Sequence, residues 1–168
     1  STLSSSSAAS DVYKRQVSER EFASYAPVAG VGALNGVGFA GYSPIAITAA
    51  GITNTSDNFR MATIGTTALT GPTDINSLAM VVAGATTLDL AGNTLNLRSG
   101  GLIASNGTDN TAITIGATPA AGNLTSGVSG SPSDLYLHAL GYVNGNGDVI
   151  NRDVIINANI VNNGAGAV

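Results

Sequence analysis

The stretch TTLDLAGNTLNLRSGGLIAS, residues 86–105, limits the possible folds more than any other part of the chain. Leu88 and Leu90 lie two apart, as do Leu95 and Leu97, so each pair shares one face of an extended backbone. With Leu102 they define an inward row of leucines. The step from 88 to 95 to 102 is seven residues, which is also a heptad. A coiled coil is excluded because Ala-Gly-Asn and Ser-Gly-Gly interrupt each unit, Thr precedes the Leu, and flanking charges are missing. The same design recurs from residue 51 onward. FRMATIG, INSLAMVV, TAITIG, NLTSG, DLYLHALG, GDVIN and DVIINANIVNNG all alternate apolar with small polar residues and are closed by Gly or Asn at the end or within two residues of it. The expected fold class is therefore all-β.

A longer period overlies the short one. Leu88 to Ile113 spans 25 residues (113 − 88), Ile113 to Leu135 spans 22 (135 − 113), and Leu135 to Ile155 spans 20 (155 − 135). Periods in the twenties with several short strands per turn suit a parallel β-helix, or β-solenoid. One rung cannot bury its own Leu/Ile row. A second rung about 4.8 Å above covers that row and pairs the backbone at the same time.

Composition agrees. Charged residues make up 10% of the 168 residues and Lys14 is the only lysine, so the polar surface is written in Thr, Ser, Asn and Gly. These are strand and turn formers, and the strong helix formers are scarce. The net charge of −4 offers no basic patch to neutralise phosphates, so nucleic acid is not an expected partner. Without cysteine there is no disulfide, thiol chemistry or thiolate metal site. No apolar run reaches 18 residues, so no membrane insertion by a helix is expected.

Three segments follow. Residues 1–16, STLSSSSAASDVYKRQ, resemble translated read-through of a sequencing adapter and are set aside as a non-native or disordered leader. Residues 17–50 form a Gly/Ala-rich opening segment with aromatic anchors at Phe22, Tyr25, Phe39 and Tyr42, and with strands expected at 31–34 and 45–48. Residues 51–168 are the solenoid rungs, expected to continue past Val168, so the chain reads as a fragment.

Chemical motifs are few. Gly36-Val37-Gly38-Phe39-Ala40-Gly41 matches GxGxxG formally, but a dinucleotide site needs a following helix, and Pro44 arrives three residues later. His138 is the single histidine. In DLYLHAL, Leu135, Leu137 and Ala139 are expected to face inward, leaving Asp134, Tyr136, His138 and Leu140 outward. A triad with Asp134 is drawable, since triads are spatial, but an outward strand residue is the simpler reading. Asn144-Gly145-Asn146-Gly147-Asp148 lacks the acids of a calcium loop and reads as a turn. Asp57, Asp74, Asp89, Asp109, Asp134, Asp148 and Asp153 are scattered singly, with Asp89 outward between Leu88 and Leu90; the group Asp148, Arg152, Asp153 reads as a solvated corner. Asn54-Thr55-Ser56, Asn106-Gly107-Thr108 and Asn123-Leu124-Thr125 match the N-glycosylation acceptor, as a chain rich in Asn and Thr will by chance. Asn93, Asn106, Asn110, Asn123, Asn144 and Asn163 are assigned to turns, while Asn157 and Asn159 are candidates for inward amide ladders. No residue is assigned as catalytic, cofactor-binding or metal-binding, and no cofactor is expected.

Three blocks in order carry a family resemblance: EREFASYAPVAGVGAL (19–34), DINSLAMVVAGATTLDLAGNTLNLRSGGLIAS (74–105) and DLYLHALGYVNGNGDVINRDVIINANIVNNG (134–164). Together they resemble passenger regions with autotransporter-associated β-strand repeats. The resemblance implies a right-handed parallel β-helix, export across the inner membrane, and display outside the cell through a C-terminal β-barrel. The glycine-rich repeats of that family are expected to follow Val168. The family shares no catalytic residues, so none is carried over.

The functional expectation is a non-enzymatic structural passenger or stalk of a secreted or surface-displayed bacterial protein, associated with the outer membrane through that barrel. Its Thr/Ser/Asn faces are candidates for adhesion to glycans or other cell-surface components. The alternative is a set of rungs from a β-helix polysaccharide-acting enzyme or carbohydrate-binding module whose site lies elsewhere. A third reading, a repetitive ice- or surface-binding face, needs regular Thr-x-Thr rows, and the Thr positions drift. The oligomeric state is left open.

Overall fold

The computed structural model describes residues 16–18, 20–48, 52–106, 111–140, 142–143, 149–150 and 153–163. The expected leader lies outside them except for Gln16. Among the described residues every regular element is a strand.

The opening segment folds into β1 (Gln16–Ser18), β2 (Glu21–Ala26) and β3 (Gly30–Ala33), paired antiparallel in that order. Pro27 starts the turn between β2 and β3, and Gly30 closes it at φ 75°, a conformation that favours glycine. The strand expected at 31–34 is β3. The one expected at 45–48 does not form: that stretch bends after Pro44, and Ile47 drops its side chain into the main core.

From residue 58 the chain passes alternately between two parallel sheets. The first receives β4 (Asn58–Met61), β6 (Thr73–Val82), β8 (Thr94–Asn106) and β10 (Asn123–Val128). The second receives β5 (Gly65–Ala68), β7 (Thr86–Asp89) and β9 (Ile113–Ile115). Two antiparallel excursions follow: β11 (Ser131–Pro132) folds back on β10, and β13 (Tyr142–Val143) pairs with β14 (Val149–Ile150). Between them β12 (Tyr136–Leu140) lies parallel on the second half of β8. Finally β15 (Val154–Ile156) joins β9, and β16 (Asn159–Ile160) joins β10.

The parallel register aligns like with like. Phe59, Leu78, Leu102 and Leu137 form one row, and Leu95, Leu124 and Ile160 another. On the second sheet Leu88 stands beside Ile115 and then Ile156. The inward residues of both sheets merge into one apolar cluster, in which Leu88, Leu90, Leu95, Leu97 and Leu102 are all fully buried. Each such side chain contributes roughly 1.5–3 kcal/mol by leaving water. The inward leucine row read from the sequence is therefore the centre of the core.

The spacing between register partners differs from the expected one. Leu88 pairs with Ile115, 27 residues on (115 − 88), and Ile113 pairs with Val154, 41 on (154 − 113), instead of steps of 25, 22 and 20. The last pass is long because β11 and the β13–β14 hairpin are inserted in it. NTLNLRSG and GLIAS also join into the single long strand β8. Its register with β6 shifts between Ile75 and Ser77, where three residues of β8 oppose one of β6. Gly100 sits in this bend at φ 72°, and a Cβ there would lie 1.9 Å from the Asp134 carbonyl oxygen.

A second, smaller core lies on the other face of the first sheet. Phe22 and Leu34 of the opening segment cover Ala79 and Ile103, with Tyr42, Val81 and Leu140 packed around them. This explains why LAMVV and LIAS run apolar without alternation: there the sheet is buried on both faces.

The same cover corrects the reading of β12. Leu137 does stand over inward Leu102, but it is 41% exposed because no described strand lies beyond it, and Ala139 is exposed too. His138 stands over Ile103 and is half-buried, as is Leu140, which packs on the second core.

Candidate binding site

The outward positions of the first sheet gather a dense polar network that crosses several strands of the stack. Asp74 on β6, Asn96 on β8 and Thr125 on β10 are register partners, so they form a row perpendicular to the strands. Arg98, two residues beyond Asn96, shares its face. Its Nε donates to Asp74 Oδ1 at 2.7 Å and its Nη2 to Asp74 Oδ2, a two-point grip on the carboxylate. These bonds raise the Arg98 pKa above its ordinary value. Asn96 Nδ2 donates to the same Oδ1 at 2.8 Å and to the Gly127 carbonyl at 3.0 Å. Asn163 closes the network, donating to Asn96 Oδ1 at 3.1 Å and to the Gly127 carbonyl at 2.9 Å.

These residues, with Thr53, Thr94 and Ser129, line a groove of about 190 Å³. Thr125 is only 4% exposed, and its Oγ1 is buried without a hydrogen-bond partner among the described residues. A buried hydroxyl left unpaired costs free energy. Other hollows lie elsewhere on the described surface. One of about 340 Å³ lies by Leu135, Ile160 and Asp134 at the β16 end, and one of about 220 Å³ lies by Tyr42 and Asp57.

A second charged group pins the opening segment to the stack. Glu21 pairs with Arg60 and accepts a hydrogen bond from the Tyr42 hydroxyl at 2.9 Å, while the Arg60 guanidinium sits 5.7 Å from the centre of the Tyr42 ring. Burial, then the bond to Glu21, raises the Tyr42 pKa well above its ordinary value.

The GxGxxG at 36–41 forms turns, and Gly36, together with nearby Gly32, makes room for the Phe39 ring: a Cβ at Gly32 would meet it at 2.4 Å. Asp134 accepts from the Tyr136 hydroxyl at 3.0 Å. Asp89 does face away from the core and caps its own turn, accepting from the Ala91 amide at 2.8 Å. Asp57 accepts from Asn54 Nδ2 at 2.6 Å. Asp109, Asn110, the 144–148 loop and Arg152 lie outside the described residues; Asp153 is exposed. No group of three metal-ligating residues gathers among the described residues.

The asparagines divide by role. Asn93 serves a turn, with Nδ2 donating to the Leu90 carbonyl at 3.0 Å beside Ala91 and Gly92 at positive φ. Asn106 is buried at the end of β8 and bonds the Gly84 carbonyl one pass earlier. Asn163 bridges strands instead of making a turn. Asn159 does reach Asn123 Oδ1, at 3.4 Å, but on the exposed side of the sheet; Asn157 bonds the Gly116 carbonyl. The sequence also hid a threonine row. Thr66, Thr87 and Thr114 are register partners on the outer face of the second sheet, a row that ends at Ile155.

The Asp74–Asn96–Arg98 network was not legible beforehand, because its members come from different passes. A polar residue between two inward apolar ones, repeated in Asp-Ile and Leu-Asn-Leu-Arg, is the signal that could have found it. The chain matches no protein-family model, no curated protein and no solved structure. Among the described residues, no helix is long and apolar enough to cross a membrane.

Proposed function

We propose that the chain is a stretch of right-handed parallel β-helix that serves as a non-enzymatic passenger or stalk of a bacterial protein displayed at the cell surface or released from it, where it makes adhesive contacts. The observation that carries this reading is the chain path: successive strands alternate between two parallel sheets and stack in register on the strand one pass earlier. Such a stack grows along one axis by repeating a single interaction, which suits a spacer or display surface. The ordered blocks that resemble autotransporter passenger regions add the location and the outer-membrane route. The Thr, Ser and Asn faces suit hydroxylated partners such as glycans.

Surface display is tested on intact cells that carry the native gene. An antibody raised against residues 52–106 should label unpermeabilised cells, and added protease should remove the signal. Labelling that needs permeabilised cells would contradict the location.

A further inference from the structure

We infer that the opening segment is a strap: β1, β2, β3 and the turns through Tyr42 open from the outer face of the first sheet as one unit while the parallel stack stays folded. An apolar strip on that face is thereby switched between covered and bare.

The backbone of the segment is bonded to itself. β2 and β3 pair with each other, the Leu34 amide donates to the Phe22 carbonyl at 2.8 Å, and the Gly41 amide donates to the Leu34 carbonyl at 3.1 Å. Among the described residues, the first backbone bond to the stack comes at Ser43, whose amide donates to the Asn58 carbonyl. Gly41, at φ 76°, stands just before that anchor, so the pivot falls at 41–43.

Side chains hold the strap down at two places. The Phe22 ring fills a gap that a glycine leaves in the sheet: a Cβ at Gly101 would lie 3.0 Å from the ring. Glu21, next in sequence, pairs with Arg60 on β4 and accepts from the Tyr42 hydroxyl. The ion pair is partly open to water, so the aromatic seat is the stronger hold.

The stack stands without the strap. The small core of Phe22, Leu34, Ala79 and Ile103 shares no buried residue with the main core, because the first sheet lies between them. Among the described residues, β1–β3 form a sheet of their own and add no strand to the parallel sheets. A small antiparallel sheet needs its apolar face covered to hold together, so leaving the stack and losing its own ladder are one event. Segments with few buried apolar neighbours open at a lower free energy than the core. Opening bares Ala79 on β6 beside Ile103 on β8, with Val81 and Leu140 flanking them, a strip across three adjacent strands.

The test is hydrogen exchange of the full chain, read amide by amide by NMR in low urea. Protection at Leu34 and Gly41 should be about tenfold or more below that at Leu69 and Gly116 in the stack, and the two strap amides should share one urea slope. Phe22→Ala should lower protection at Leu34 and Gly41 by a further tenfold or so, and leave Leu69 and Gly116 unchanged. Glu21→Gln, a milder change, should move the same two amides in the same direction by a smaller factor. Equal protection in strap and stack, an equal loss in both on Phe22→Ala, or strap amides that neither variant moves would overturn the inference. So would exchange at Leu34 and Gly41 that ignores urea, since that is fraying residue by residue.

Discussion

The two ends of the parallel stack differ in how they are finished. At the β4 end, residues 43–48 and 52–57 lie across the base. Ile47 and Ile52 enter the core at 7% and 5% exposure, and the edge is bonded by the Ser43 amide to the Asn58 carbonyl and by the Asp74 amide to the Ile52 carbonyl. At the other end, Leu137, Ile160 and Val161 are 41%, 64% and 37% exposed. Leu102 and Leu137 belong to the same row and face the same way, yet only Leu102 is fully buried. The difference lies in the neighbouring strand and not in the residue: in a stack, each pass is buried by the pass that follows it.

Substitutions can break or sharpen that contrast. The largest effect is expected at the centre, where Leu97→Asp places a charge in the sealed core and should abolish cooperative unfolding in a urea titration followed by circular dichroism. Next, Leu102→Ala should cost about 2–5 kcal/mol, while Leu137→Ala, one strand further along the same row, should cost under about 1 kcal/mol. Equal losses at the two positions would refute the row. At the bend of β8, Gly100→Ala forces a side chain into a positive-φ position against the Asp134 carbonyl and should cost at least about 1–3 kcal/mol; an unchanged urea midpoint would show that β12 does not pack there.

The smallest effect concerns pH. The Tyr42 phenol has its pKa raised in the folded state, so the unfolded chain loses that proton first as pH rises. The stability tied to it is complete below about pH 10 and falls as pH climbs toward the folded value. Tyr42→Phe should flatten the decline in melting temperature above pH 10; a decline of the same slope would place the cause elsewhere.

Much of the fold was legible because alternation is a local signal. The inward leucines, most strands and the all-β class follow from residues two apart. The spacing between register partners was not legible, because β11 and the β13–β14 hairpin add residues without adding to the parallel sheets. The strand β5, GTTA, was missed since it presents Thr outward with little apolar content. The missing strand at 45–48 shows the opposite error: apolar Ile47 belongs to the core as a plug, not through a ladder. Asp74 was read as one of several scattered acids, and Arg98 was given no role. They meet only because one pass spans the 24 residues between them, a distance that no motif at short spacing reveals.

The most direct test of the stack is the distance between register partners. The chain has no cysteine, so engineered pairs report without background. Spin labels at Thr87→Cys and Thr114→Cys lie on adjacent strands about 4.8 Å apart. Labels at Thr66→Cys and Thr114→Cys lie two strands apart, about 9.6 Å. Continuous-wave electron paramagnetic resonance of frozen samples should show strong dipolar broadening for the first pair and clearly weaker broadening for the second. Equal broadening, or an isolated-label spectrum for the 87/114 pair, would contradict the in-register parallel stack.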